Sequence, residues 1–133
     1  MSPAATLRDA AKVLRDTASN ATPGPWKTKG VGDFGWLVVD ADPAGRFSVE
    51  TEDNEHGRAD AAWIALAHPG LAEPLAAWLE IAADDLGGAA AYLARTAASS
   101  PPGEVFDPFD YVDEPDSVRA AMDIARAILG RDS

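Results

Sequence analysis

The sequence contains no cysteine and two histidines, His56 and His68. Without thiols the chain cannot form disulfides, thiolate zinc sites or a cysteine nucleophile. The chain also lacks a glycine-rich phosphate loop, a Gly-x-Ser-x-Gly elbow and a His-Glu-x-x-His pair. We therefore expect no cofactor, no resident metal ion and no catalytic residue, and we predict that the protein is not an enzyme.

Long apolar runs are missing as well. No stretch of about 18 apolar residues could span a bilayer, and the first residues lack the basic and apolar regions of a secretion signal. We expect a cytoplasmic protein with no membrane partner. The chain has 133 residues, of which 47% are hydrophobic, which is enough for one folded domain covering residues 1–133.

Basic residues are scarce beyond the N-terminal part. The 11 Lys and Arg residues face 22 Asp and Glu residues, giving a net charge of -11. Residues 1–31 carry five bases and two acids, a net of +3, so the remainder carries -14. Because nucleic-acid binding depends on neutralising phosphates with Lys and Arg, we expect no direct nucleic-acid partner.

The first half of the chain predicts a helix followed by a small sheet. Ser2-Pro3 resembles an N-cap with proline at the first helical position, and the apolar spacing predicts a helix over residues 3–19. Alternating apolar residues separated by glycine-rich turns then predict three antiparallel strands in a meander. The predicted strands cover 26–31, 34–41 and 46–52.

The second half predicts helices. Apolar residues at helical spacing mark a short helix that ends at His68-Pro69; they are Ala59, Ala62, Trp63 and Leu66. A helix over 71–82 should stop or kink at Gly87-Gly88, and another should cover 89–98. Asp116 is predicted to cap the last helix. The predicted fold class is α+β, with an N-terminal helix, a three-stranded antiparallel meander, and three to four helices packed on one face of the sheet.

The four tryptophans are predicted to lie in the core, with an apolar ligand pocket as the alternative; they are Trp26, Trp36, Trp63 and Trp78.

His56 lies among acidic residues, where an imidazole could act as a general base or metal ligand, or could belong to a polar capping loop. His68 is expected to bond a free backbone group at its helix junction.

The most unusual segment is the acidic aromatic segment, residues 104–116, which contains six acids and no base. It lacks the central glycine and fixed spacing of an EF-hand loop. A solvated loop held by its aromatic side chains, a docking surface for a basic partner and a cation site are the alternatives. If the segment binds a protein, the candidate residues are Phe106, Phe109, Asp110, Tyr111, Asp113 and Glu114.

Three passages carry a family resemblance. They are Leu7 to Arg15, Ala21-Thr22-Pro23-Gly24-Pro25-Trp26, and Arg58 to Gly70 (Arg-Ala-Asp-Ala-Ala-Trp-Ile-Ala-Leu-Ala-His-Pro-Gly) continuing to Trp78-Leu79. Together they resemble the Ead-like small proteins of phages and prophages, in particular the actinobacterial versions. The resemblance implies an accessory gene product that is dispensable for building the virion and acts inside the bacterial host. It implies no catalytic residues.

The leading hypothesis is a phage or prophage accessory protein that binds a host or defence protein through the acidic aromatic segment. A second hypothesis is a binder or sponge for a nucleotide-like signal, which would use Lys27, Lys29, Arg46 and the tryptophan faces. The third is a small metal-dependent hydrolase centred on His56.

Overall fold

The computed structural model describes residues 2–30, 35–40, 47–99, 103 and 105–131. Within it the chain forms two compact units, one from residues 15–73 and the other from residues 1–14 together with 74–133. Arg46, Glu104 and the predicted outer ends of the strands at 31, 34, 41 and 46 lie outside the described residues.

The first helix, α1, covers Pro3–Ser19, as predicted. The side chain of Ser2 accepts a hydrogen bond of 3.1 Å from the Ala5 N–H, so one of the free amides at the helix start is satisfied. Leu7, Ala10 and Ala11 are fully buried. This apolar stripe therefore lies against the rest of the larger unit.

The sheet has three antiparallel strands in the order β1 (Trp26–Gly30), β2 (Trp36–Asp40) and β3 (Ser48–Thr51). The register pairs Thr28 with Val38, and Val38 with Val49. The predicted meander is confirmed, and so is the α+β fold class, since an N-terminal helix is followed by this sheet and then by helices.

Helix α2, Glu55–Leu66, packs on one face of the sheet. Val38 is completely buried on that face. The Thr51 hydroxyl donates a hydrogen bond of 2.7 Å to the Gly57 carbonyl, and the Arg58 guanidinium lies 5.3 Å from the centre of the Trp36 ring. These contacts identify the sheet face that α2 covers.

The buried side of α2 differs from the one that the sequence predicts. The buried residues of this helix are Gly57 and Ala61, whereas Trp63 is 69% exposed and Leu66 is 64% exposed. A Cβ atom at position 57 would overlap the backbone of Glu52. The buried side of α2 therefore consists of its smallest residues, because a larger side chain at position 57 would not fit against the Glu52 backbone. The prediction that Trp63 lies in the core is wrong.

Helix α3 runs without interruption from Ala72 to Thr96. The predicted stop at Gly87-Gly88 is therefore wrong, and the helices expected over 71–82 and 89–98 are one helix. Each glycine costs a helix about 1 kcal/mol relative to alanine. Leu86 and Ala89 flank the glycine pair and are both buried, and burial of these apolar groups offsets that cost.

The last helix, α4, covers Pro115–Leu129 and presents a buried stripe to the core of the larger unit. Its N-cap is Glu114, and Pro115 occupies the first helical turn. Asp116 is therefore inside the helix, and its predicted capping role is wrong, because proline is favoured at the first helical position. The core of this unit includes Leu7, Leu79, Leu86, Val112, Val118 and Met122.

Candidate functional site

The described part of the acidic aromatic segment is anchored at both ends of a short 3-10 turn, Pro108–Tyr111. Asp107 caps this turn by accepting a hydrogen bond of 3.0 Å from the Phe109 N–H. Phe109 is partly buried against the core, and Val112 is buried within it. These contacts hold residues 107–112 against the surface of the larger unit.

Arg119 of α4 supplies the base that the segment itself lacks. Its guanidinium lies 3.8 Å from Asp110 Oδ1 and 3.9 Å from Asp107 Oδ2, and 5.4 Å from the centre of the Phe109 ring. Two of the predicted binding residues, Phe109 and Asp110, thus interact with the protein's own arginine. Their contacts indicate a role in holding the segment in place.

The other predicted residues border a groove on α3. Tyr111 lies 6.0 Å from the Tyr92 ring and 6.2 Å, edge to face, from the Phe106 ring. The cleft beside them measures about 480 Å³ and is lined by Asp84, Asp85, Gly88, Ala89, Tyr92, Tyr111, Val112 and Asp113. A second cleft, of about 310 Å³, shares Asp85 and Asp113 and extends to Trp78, Ile81 and Glu114. We call the two clefts together the acidic aromatic groove.

The groove combines negative charge with exposed apolar surface. Asp84 is paired with Arg8 at 3.2 Å, whereas no salt bridge to Asp85, Asp113 or Glu114 is formed by the residues that the structure describes. Exposed apolar and aromatic side chains at or beside the groove are Ile81, Tyr92, Phe106 and Tyr111. Such an arrangement favours a ligand that is both cationic and apolar.

Most residues of the groove that were not predicted lie on α3; the others are Val112, Ser117 and Val118. Ile81, Asp85, Gly88 and Tyr92 follow each other at intervals of four, three and four residues along this helix, so they share one face. The predicted helix break at Gly87-Gly88 hid this relationship. The helical spacing across the glycine pair is the signal that could have found it.

The residues named in the two alternative hypotheses do not form a common site among the described residues. Lys27 and Lys29 pair with Val39 and Leu37, so they lie on the sheet face opposite Trp36. His56 is exposed in the first turn of α2. Among the described residues, no group of three or more His, Asp or Glu side chains could hold a metal ion.

The Ala21 to Trp26 turn and the His68-Pro69 passage meet in the smaller unit. The backbone of Gly24 lies against the imidazole of His68. His68 Nδ1 accepts a hydrogen bond of 3.0 Å from the Gly70 N–H, which confirms its predicted role in bonding a backbone group. Beside this contact Arg15 makes two hydrogen bonds to Glu73, of 2.9 and 3.0 Å, and they lower the pKa of the Glu73 carboxyl.

None of the helices in the described ranges is both long and apolar enough to cross a membrane. Comparison of the chain with protein-family models, with curated proteins and with solved structures found no match.

Proposed function

We propose that this protein is a phage or prophage accessory protein that acts by binding a host or defence protein, and that the acidic aromatic groove receives a basic segment of that partner. One observation carries the binding role: Tyr92 and Tyr111 stand 6.0 Å apart in a cleft that also contains Asp85 and Asp113. The phage or prophage setting rests on the resemblance of the Thr22 to Trp26 turn and the His68-Pro69 passage to the Ead-like proteins.

The chemistry of the groove suits lysine or arginine side chains. The face of a tyrosine ring attracts a cation, and a carboxylate nearby accepts its N–H groups in a charge-assisted hydrogen bond. The aliphatic stem of the same side chain can pack on Ile81, which is 60% exposed. Aromatic residues also dominate the energetics of protein interfaces, because they bury a large area with few rotatable bonds.

The net charge of the protein also favours a basic partner. With a net charge of -11, the protein attracts basic surfaces at long range and accelerates their association. Asp85 and Asp113 would then fix the bound orientation at short range. We expect binding to weaken as the salt concentration rises, because exposed charges are screened.

Affinity capture from lysate of a bacterial host tests this proposal. Wild-type protein, a D85N/D113N variant and a Y92A/Y111A variant would each be immobilised and the bound proteins identified by mass spectrometry. The control is D123N, since Asp123 is a highly exposed acid on α4 that lines neither cleft. Partners retained by wild type and D123N but lost by both groove variants would support the proposal. Recovery of the same partners by all four proteins would contradict it.

A further inference from the structure

The sheet face opposite α2 carries a regular arrangement of charge. The register places Lys29, Leu37 and Glu50 side by side in one row across the three strands, and Lys27, Val39 and Ser48 in the next row. Each row therefore has a lysine on β1, an apolar residue on β2, and a polar or acidic residue on β3. We call this surface the open sheet face.

The open sheet face is accessible in the described structure. Lys27, Lys29, Ser48 and Glu50 are exposed, and Leu37 and Val39 are half-buried. The side chains that contact α2 belong to the opposite face, as the hydrogen bond from Thr51 to Gly57 shows. The open sheet face thus has an apolar central strand between a strand that carries two lysines and a strand that carries Glu50.

We propose that the open sheet face binds a second copy of this chain in a two-fold-symmetric pair. A two-fold axis that runs along β2, between two sheets packed face to face, brings β1 of one copy over β3 of the other. Residues in the same row then face each other, so Lys29 of each copy lies over Glu50 of its partner and Leu37 packs on Leu37. Two ion pairs form around an apolar centre, whereas Lys27 faces the uncharged Ser48.

The expected pair is weak. Three strands spaced about 4.8 Å apart, with residues rising about 3.3 Å along each strand, give a face of roughly 14 by 16 Å. This is far smaller than the roughly 800 Å² that each partner buries in a standard stable interface. The net charge of -11 on each copy also opposes association. We therefore expect dimers only at high protein concentration.

Charge reversal provides a sharp test, with sedimentation equilibrium measured up to millimolar protein. We expect wild type to approach a dimer and K29E to dimerise about tenfold more weakly, since both ion pairs become repulsive. The double variant K29E/E50K restores both pairs in the reversed sense and should recover wild-type association. The control K27E changes the net charge by the same amount as K29E but faces Ser48, so its effect should be clearly smaller. Circular dichroism would confirm that each variant is folded.

Several results would overturn the proposal. A wild-type protein that stays monomeric throughout contradicts it directly. Equal effects of K27E and K29E would show that only the net charge matters, and failure of K29E/E50K to recover would show that the two residues do not face each other. Growth beyond a dimer would indicate edge pairing of β1 with β3 of a further copy, because that contact does not close. Since the acidic aromatic groove is unchanged in these variants, the outcome is independent of the proposed binding function.

Discussion

Gly24 and His68 are in direct contact, and the contact leaves no room for a side chain at position 24. A Cβ atom at position 70 would also collide with the same imidazole ring. The ring is therefore enclosed between two glycine positions, one in the turn before β1 and one after α2. The Pro23-Gly24-Pro25 turn and the His68-Pro69-Gly70 passage therefore pack closely through this ring.

Replacing Gly24 with alanine is expected to destabilise the protein by about 1–3 kcal/mol, because the imidazole of His68 or the turn itself must move to accommodate the methyl group. Urea denaturation followed by tryptophan fluorescence measures the change in the free energy of unfolding. The matched control is G88A, since a Cβ at position 88 would have no atom within 4 Å apart from its chain neighbours and the nearby backbone of α3. G88A should stabilise α3 by up to about 1 kcal/mol. Equal stabilities of G24A and wild type would contradict the close contact.

The exposure of Trp63 predicts a small effect of its removal. Trp63 is 69% exposed, whereas Leu79 is completely buried. We expect W63A to change the free energy of unfolding by less than about 1 kcal/mol, and L79A to lower it by about 2–5 kcal/mol through loss of contacts and formation of a cavity. Thermal and chemical denaturation of the two variants can be compared directly. A larger loss for W63A than for L79A would place Trp63 in the core after all.

Helix α2 depends on its N-cap. The Asn54 side chain accepts a hydrogen bond of 2.7 Å from the Gly57 N–H. We expect N54A to lower the free energy of unfolding by about 1 kcal/mol, because that amide loses its partner. N54D serves as the control, since an aspartate accepts the same bond and should keep most of the stability. If N54D were as unstable as N54A, the cap would not be the cause.

The Arg15 to Glu73 contact predicts a specific pH dependence. The hydrogen bond from Arg15 holds the pKa of the Glu73 carboxyl below its ordinary value. A group whose pKa is depressed in the folded state contributes stability above its unfolded pKa, and this contribution is lost as the pH falls through the folded pKa. NMR titration should show Glu73 titrating at lower pH in wild type than in R15M. An unchanged titration in R15M would mean that the hydrogen bond is not the cause.

Local sequence signals were sufficient to predict α1, the three-stranded meander and the existence of α4. Pro3 at the helix start, the glycine-rich turns and the apolar stripe of α4 each depend on neighbouring residues only. The position of α2 against the sheet could not be predicted in the same way. Hydrophobicity favours Trp63 and Leu66 as the buried side, but the close approach at Gly57 is a steric property of the folded chain.

Only part of the candidate site could be predicted, because the rest depends on contacts made in the folded chain. Phe106, Tyr111, Asp113 and Glu114 are at the surface as expected, but Arg119 comes from α4 and interacts with Asp110. The contribution of α3 depends on the helix continuing through Gly87-Gly88. Helix propensity disfavours two glycines there, but burial of Leu86 and Ala89 on either side offsets that cost. Tertiary contacts of this kind carry no signal in a single stretch of sequence.

The division of the chain into units has a consequence for its synthesis on the ribosome. Residues 15–73 form one unit as a continuous stretch, whereas the other unit joins residues 1–14 to residues 74–133. All the residues that build the sheet and α2 are therefore present once residue 73 has been translated. Leu7, in contrast, is buried together with Met122, so the apolar stripe of α1 cannot be fully covered until residue 122 has been translated.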